Sequence, residues 1–466
     1  MAQKKFILGV LLLATLLRFV VFVVYEPWSE DWQSRYLGAD PASYWMIAHN
    51  ILNHGAISLS VSEPYLPDSQ RPPVYPLFLA SIVAFFGSRA WPICIVQSLL
   101  GVAIVYVLYR TAQLVIEEGA ARIVAAFAAI DFYMIEFGCL LWSDFLFVAI
   151  LTISLLVVAA VLRSDAEQRS PNWLWLALGG LIGLAVLTRP VAQYLLLIVL
   201  SLIVGLRATK CAFTPLRIVA LVMLVIGWSI VTVPWLCRNY HAFGSFGFSS
   251  IKGANLLFFE GAEVVARTKG ITYHEAKQEL ASAHWRAYDG KNNFECDSYY
   301  TSEAVKIFKA HPIDAIIVHM QGMLRTFRRV DGILWKESSG PGGDYRSYMH
   351  SLKEGGPAGL WRYMRNEART IDASFFILHL GFLVLLYLGV ILSVVSYRHL
   401  SSRTKMMFCY LIIWMLYFNF LSAVPGGLRY RLPLHPAMEL LAGFGYWHYY
   451  TILCRQRRAR ATPITS

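Results

Sequence analysis

"KKFILGVLLLATLLRFVVFVV", residues 4–24, decides the fold class. Lys4 and Lys5 precede an apolar run from Phe6 to Val24, and a helix needs about 20 such residues to cross the hydrocarbon core of a bilayer. No small-residue cleavage site follows before "YEPWSEDW" at 25–32, so the run reads as a first transmembrane helix that stays. Working outward, comparable runs recur at roughly 91–109, 120–137, 143–162, 173–188, 191–206, 216–235, 374–396, 406–424 and 432–452. Composition agrees: 57% of the 466 residues are hydrophobic and 15% are charged, against roughly 25% charged in soluble domains. Mean hydropathy is +0.51. These features predict an all-α polytopic integral membrane protein with about ten transmembrane helices.

The formal net charge is +12. In a membrane protein such an excess belongs to cytoplasmic loops rather than to a nucleic-acid partner. If the runs alternate, Lys4/Lys5, Arg110/Arg122, Arg163/Arg169, Arg207/Lys210/Arg217, Arg398/Arg403/Lys405 and the arginines at 455–460 share one side, which the positive-inside rule makes the cytoplasm. "PVYPLFLASIVAFFG", 73–87, is apolar but too short to span, and counting it would invert every later loop. It is placed outside, as a re-entrant or surface-lying helix. Three parts follow: an N-terminal transmembrane module 1–235 including an external loop 25–90, an external segment 236–373, and C-terminal helices with a basic tail, 374–466. Both termini are then cytoplasmic. In the second external segment, helices break at Pro312, and "SSGPGGDYRSY" and "KEGGPAG" read as loops. The seven cysteines show no CxxC spacing; Cys237 and Cys296 leave one external disulfide open.

"YLGADPASYWMIAHNILNHG", 36–55, follows the first span closely. Asp40 before Pro41 reads as a helix N-cap with proline at the first helical position. Tyr44, Ile47, Ala48, Ile51 and Leu52 form one apolar stripe, and Gly55 suits a C-cap, so 41–54 reads as an amphipathic helix on the membrane surface. Capping alone accounts for Asp40 on the plainest reading.

Charges on the unexpected side point further. This orientation puts Arg71, Arg189, Arg238, Arg429 and Arg431 at outer helix ends, with Asp40, Asp131, Glu136 and Asp144 at the same level. Ionisable groups beside apolar segments are costly and default to functional candidates. Arg189 and Arg238 could instead snorkel to the interface, and Asp131 and Glu136 could be solvated loop acids. The coincidence of depth favours a pocket that binds an anion and holds a base. Arginines suit phosphate, and an aspartate can take a proton from a hydroxyl nucleophile. The combination suggests transfer of a group from a lipid-linked phosphate.

The ordered set "GADPASYWMIAHNILNHG", "RPPVYPLFLASIVAFFG", "WSDFLF", "GGLIGLAVLTRP", "VPWLCRNYHAFGSFGFSS" and "GGLRYRLPLHP" resembles bacterial GT-C glycosyltransferases. The closest groups are the protein-mannosyltransferase-like and aminoarabinose-transferase-like enzymes (glycosyltransferase 39/83-like). The resemblance covers most of 6–452 and is weakest in 260–370. It implies a GT-C fold in the bacterial inner membrane, a polyprenyl-phosphate sugar as donor, and an acceptor glycan, lipid or protein hydroxyl. It implies a catalytic acid at Asp40, a second carboxylate at Asp144 where relatives commonly have glutamate, and a phosphate contact at Arg71 of "RPPVYP" where many have lysine. Arg429, Arg431, Arg238 and Arg189 join Arg71 as expected donor-phosphate ligands, and Tyr44, Tyr75 and Tyr430 are expected to line the substrate groove. Relatives often carry two adjacent acids in the first motif; here Pro41 follows Asp40, which leaves a divalent metal possible but unassigned. Two other readings stay open: an O-antigen ligase or polymerase, which lacks the early acidic loop with basic-Pro-Pro, and a polytopic lipid or sugar transporter, which predicts inverted repeats or broken helices at mid-membrane, with no matching halves found here.

Overall fold

The computed structural model describes residues 2–166, 171–205, 215–284, 292–328, 356, 358–359, 370–423 and 428–461. Arg169, Arg207, Lys210, the loop 338–348 and most of 353–359 lie outside them. Every regular element among the described residues is helical. In chain order α1 is Ala2–Tyr25, α2 Trp32–Tyr36, α3 Ala39–His54, α4 Val74–Phe86, α5 Ala90–Val115, α6 Glu118–Ile130, α7 Phe132–Phe137, α8 Ser143–Ala166, α9 Asn172–Thr188, α10 Leu195–Gly205 and α11 Pro215–Phe243. Then come α12 Lys252–Asn255, α13 Ala262–Lys269, α14 Tyr273–His284, α15 Asn293–Ala310, α16 Pro312–Arg328, α17 Thr370–Ser396, α18 Ser402–Leu421, α19 Leu428–Arg431 and α20 His435–Ala461.

Among the described residues, six helical stretches are long and apolar enough to cross a membrane: Gln3–Tyr25, Ala90–Val115, Ser143–Ser164, Ile218–Phe243, Phe376–His399 and Ser402–Leu421. The expected span at 120–137 is two helices, because Asp131 leaves the helical region at ψ 99° and caps α7 by accepting from the Met134 N–H at 3.2 Å. The expected span at 191–206 is split into a 3₁₀ turn, Pro190–Ala192, and α10. The run at 432–452 begins with a 3₁₀ turn, Leu432–Leu434, before α20. α11 continues through 235 to Phe243, so the expected boundary at 235/236 falls inside a helix.

α4 has 13 residues, about 20 Å of helix, which is too short to span. α3 starts two residues earlier than the Asp40–Pro41 pair suggests. Gly38 occupies the N-cap, and Asp40 sits in the first turn, where a carboxylate still complements the helix dipole. Gly55 ends α3 in the left-handed region, φ 65°, with its N–H on the Ile51 carbonyl and the Ala56 N–H on that of Asn50. Cys237 is an exposed free thiol and Cys296 a buried one, so they do not pair.

The two ends of the bundle differ. At one end Gln3 donates to Glu118 Oε2 at 2.8 Å, Thr404 donates to the Val115 carbonyl at 3.0 Å, and His399 stacks on His448. Lys4, Lys5, Arg122, Arg398, Arg403 and Lys405 sit near these joints in the chain. At the other end lie the start of α8, the end of α9 and the whole of α3, α4 and α19. A second, smaller core forms away from the bundle, where Leu257, Ala262, Ala276, Leu280, Cys296 and Tyr300 pack together.

The tightest helix pair positions the site end of α9. A Cβ on Gly179 would lie 2.0 Å from the Leu224 carbonyl oxygen, and one on Gly227 2.0 Å from that of Leu176. Backbone meets backbone there, the close approach that small residues allow between membrane helices. Gly180 instead has room, since a Cβ there would meet the Gly227 oxygen at an ordinary contact of 3.8 Å. Gly227→Val and Gly179→Ala should therefore lower the thermal midpoint and folded yield in detergent, by overpacking worth about 1–3 kcal/mol. Gly180→Ala should behave like wild type; equal behaviour of all three variants would contradict this packing.

Candidate active site

Five segments far apart in sequence bring their charges together. Asp40, in the first turn of α3, accepts from Arg71 Nη2 at Oδ1 and from Arg429 Nη1 at Oδ2, both at 2.5 Å. The other edge of Arg429 donates through Nε to Asp144 Oδ2 at 2.8 Å, and Arg189 pairs with the same oxygen. The result is a continuous array, Arg71–Asp40–Arg429–Asp144–Arg189, with three positive and two negative groups. Side-chain exposures run from 2% at Asp144 to 27% at Asp40, so the array opens at Asp40 and closes at Asp144. Water screens such groups weakly, and each depends on its neighbours for charge balance.

Neighbouring side chains fix the array. The Arg429 guanidinium lies over the Trp142 ring at 4.1 Å, and Arg71 over Tyr44 at 5.0 Å, contacts that suit a planar cation. Ser143 donates to the Tyr44 hydroxyl at 3.1 Å and accepts from Arg189 at 3.5 Å. The Arg71 N–H donates to Asp68 Oδ2 at 3.1 Å. Arg71 Nε is buried without a hydrogen-bond partner, a donor available to an incoming anion. Burial alone would raise the Asp40 carboxyl, but Arg429 and Arg71 outweigh it and hold it down at about 2.

Other expected ligands lie elsewhere. Arg238 donates to the Asp68 carbonyl at 2.7 Å, to Asn239 Oδ1 at 2.8 Å and to the Ile57 carbonyl at 3.3 Å, and stands over Trp235. It staples the first loop to the end of α11 and stands outside the array. Tyr75 is fully buried, edge-on to Tyr44, and supports the floor beneath Arg71 rather than an open groove. Tyr430 lies beside Arg429.

Arg431 belongs to a second cluster, deeper in the bundle. Its Nε donates to His435 Nε2 at 3.3 Å, and its guanidinium covers the Tyr133 ring at 4.5 Å. His435 Nδ1 pairs with Asp131. Glu439 lies one turn along α20 from His435, and Arg18 approaches from α1, where the absence of a side chain at Gly101 makes room for it. Asp131 and Glu136 are fully buried, and Glu136 accepts from the Tyr25 hydroxyl at 2.9 Å, so neither is a solvated loop acid. Asp131, His435 and Glu439 offer ligand atoms within 4.8 Å of one another. Yet Arg431 donating to Nε2 leaves the proton of neutral His435 on Nδ1, toward Asp131. A metal on Nδ1 would require the opposite tautomer, so the donor set fits a hydrogen-bonded network better than a cation. The sequence reading passed over Trp142, Ser143, Arg18, His435 and Glu439. Arg18 carried a signal, being an arginine inside an apolar run, and so did the i, i+4 spacing of His435 and Glu439.

Residues 70–235 match the family model described as dolichyl-phosphate-mannose-protein mannosyltransferase. No curated protein matches the chain. Among solved structures, the chain is similar to the archaeal oligosaccharyltransferase AglB from Archaeoglobus fulgidus in complex with an inhibitory peptide and a dolichol-phosphate, with 15% identity and a TM-score of 0.55 over 99% of this chain and 52% of that one. The same enzyme tethered with an acceptor peptide gives 15% identity and a TM-score of 0.54 over 97% and 51%. ArnT from Cupriavidus metallidurans in the apo state gives 15% and 0.42 over 98% and 81%. The chain spans about half the length of the AglB structures it matches. The chain is thus a multi-pass membrane protein with the fold of the AglB structures, and its residues 70–235 are similar to the dolichyl-phosphate-mannose-protein mannosyltransferase family.

Proposed function

We propose that the protein is a membrane glycosyltransferase that moves a sugar from a polyprenyl-phosphate-linked donor to an acceptor hydroxyl at the outer face of the membrane. The observation that carries this reading is the Arg71–Asp40–Arg429–Asp144–Arg189 array with its unpartnered Arg71 Nε. An anion can enter it by exchange: the donor phosphate takes over Arg71 and Arg429, and Asp40 turns to the acceptor. The matched family description and the dolichol-phosphate held by AglB support a lipid-linked donor.

In this mechanism the acceptor oxygen attacks the anomeric carbon on the face opposite the phosphate. The new C–O bond forms as the bond to phosphate oxygen breaks, which inverts the carbon. The acceptor proton passes to Asp40, and Arg71 and Arg429 hold the charge that develops on the departing lipid phosphate. At about 2, Asp40 is a weak base while both arginines bind it. Donor phosphate neutralises those cations, so Asp40 becomes a stronger base only when the donor is bound. Asp144 holds Arg429 and Arg189 in place. Regions 1–235, 236–373 and 374–466 then act as transmembrane module, external segment and C-terminal helices. Both termini are cytoplasmic in a bacterial inner membrane, a reading supported by the basic residues gathered at the end opposite the array.

Asp40→Asn should abolish transfer from a polyprenyl-phosphate sugar while the variant still elutes as a folded protein; wild-type turnover would remove Asp40 from the mechanism. The lowered carboxyl also fixes a sign. The stability Asp40 contributes is present at neutral pH and is lost only as pH falls from about 4 towards 2. The difference in thermal midpoint between wild type and Asp40→Asn should thus be flat from pH 5 to 8, and a difference that shrinks across that range would contradict the pairing.

Arg71→Ala should raise the apparent KM for donor by about 10-fold or more, as expected for a lost charge-assisted contact, with little change for acceptor. Arg238→Ala should instead lower stability and leave donor KM near wild type; the reverse pattern would exchange their roles. A cysteine placed at exposed Lys309 of α15 should react with impermeant thiol reagents added outside the cell, and labelling only after lysis would invert the topology.

A further inference from the structure

α16 is built inside out. The face turned away from the protein carries Ile313, Ile316, Met320 and Leu324, which are 72%, 64%, 51% and 59% exposed. These positions fall on one stripe at helical spacing. Three ion pairs flank the inward face, while Gln321 and Arg328 are exposed beside the stripe. Asp314 pairs with Arg267 at 2.7 Å, His319 with Glu260 at 3.0 Å and Arg325 with Glu263 at 3.0 Å, around the small buried positions Val318, Gly322 and Thr326. A helix that faced water on its outer side would show the opposite pattern.

Its C-terminus lies deep. The Phe327 carbonyl accepts from the Tyr387 hydroxyl at 2.9 Å, and the Thr326 and Phe327 carbonyls face Arg431 Nη1 at 3.4 and 3.5 Å. Tyr387 lies only about 18 Å of helix from His399, at the basic end, whereas Asp144 lies about 28 Å from Arg163 along α8. The last turn of α16 therefore sits below the level of the ion-pair array. Carbonyls at a helix end have no intrahelical partner, and hydrocarbon supplies none. Here a guanidinium and a phenol supply the bonds.

The exposed stripe also continues onto a membrane span. His319 packs against the Phe420 ring at 4.6 Å, and Phe420 and Leu416 of α18 are themselves 55% and 58% exposed. We infer that α16 is a half-membrane helix. It enters the outer leaflet from the external segment with Ile313, Ile316, Met320 and Leu324 against lipid acyl chains, and its C-terminal carbonyls dock on Arg431 and Tyr387. This needs only that the bundle spans a bilayer and is independent of the proposed chemistry. One consequence is that the foot of the external segment is tied through Arg431 to the same short helix that carries Arg429.

The test uses the full chain in nanodiscs of phosphatidylethanolamine and phosphatidylglycerol. Cys211, Cys237, Cys409 and Cys454 are replaced by serine, and a bimane label is placed on Ile316→Cys, Met320→Cys or, as a control on the exposed side of α15, Lys309→Cys. All three positions are at the surface, so the labels do not disturb the core. Doxyl-labelled phospholipid should quench bimane at 316 and 320 several-fold more than at 309, and aqueous iodide should give the reverse order. Iodide quenching at 316 and 320 equal to that at 309 would place the stripe in water and overturn the inference. Shielding from both quenchers, with oxidative crosslinks between 316 cysteines of two molecules, would also overturn it by making a second copy the occupant.

Discussion

Asp40 shared between two guanidiniums is the contact on which the site end of the bundle depends. Neither Arg71 nor Arg429 would be tolerated half-buried without it, and Asp144 performs the same service for Arg429 and Arg189. The alternation of sign fixes geometry as well as charge. Arg429 reaches the two carboxylates from different edges of one planar group, so the start of α3, the start of α8 and α19 are set relative to one another by a single side chain. Arg71 then sets where the first loop ends, Arg238 pins the middle of that loop to α11, and the close approach of Gly179 to Leu224 and of Gly227 to Leu176 holds α9 so that Arg189 meets Asp144.

Beneath this array lies a second, fully enclosed polar layer. Arg429 and Arg431 are two residues apart on a short helix and so point in different directions. One turns to the open array, the other to His435, Tyr133, Tyr387 and the end of α16. Asp131 makes this layer possible by interrupting the run between α6 and α7 at the depth where Arg18 and His435 arrive. Charges inside a bilayer are retained where opposite charges and polar groups face them, and here those groups come from α1, α6–α7 and α20. The half-buried array above can exchange partners with a ligand; the sealed layer below is suited to holding position.

Much of this was legible in the chain. Apolar runs of span length gave the all-helical polytopic class, the shortness of 73–87 identified α4 as a non-spanning helix, and Gly55 marked the end of α3. Asp40, Arg71, Asp144, Arg189 and Arg429 were each named from their cost beside apolar segments or from a loose motif. Other features misled. Apolar residues on both sides of Asp131 hid the break there, because a capping aspartate looks the same in sequence as a solvated one. Arg238 and Arg431 satisfied the same criterion as Arg71 and Arg429 yet bind backbone carbonyls and a buried histidine.

What the sequence determined by itself is the set of charges and the membrane in which they must be paid for. Hydropathy is a local property, and a guanidinium beside an apolar helix demands a partner wherever the chain goes. Which partner it finds is not local. Arg429 lies 389 residues from Asp40 and 285 from Asp144, and no pattern within a helix turn specifies that they meet. Only the packing of the helices sends Arg429 to two carboxylates and Arg431, two residues on, to a buried imidazole. The same packing turned the apolar face of α16 outward, a choice invisible in a helical periodicity that is identical whichever side faces lipid.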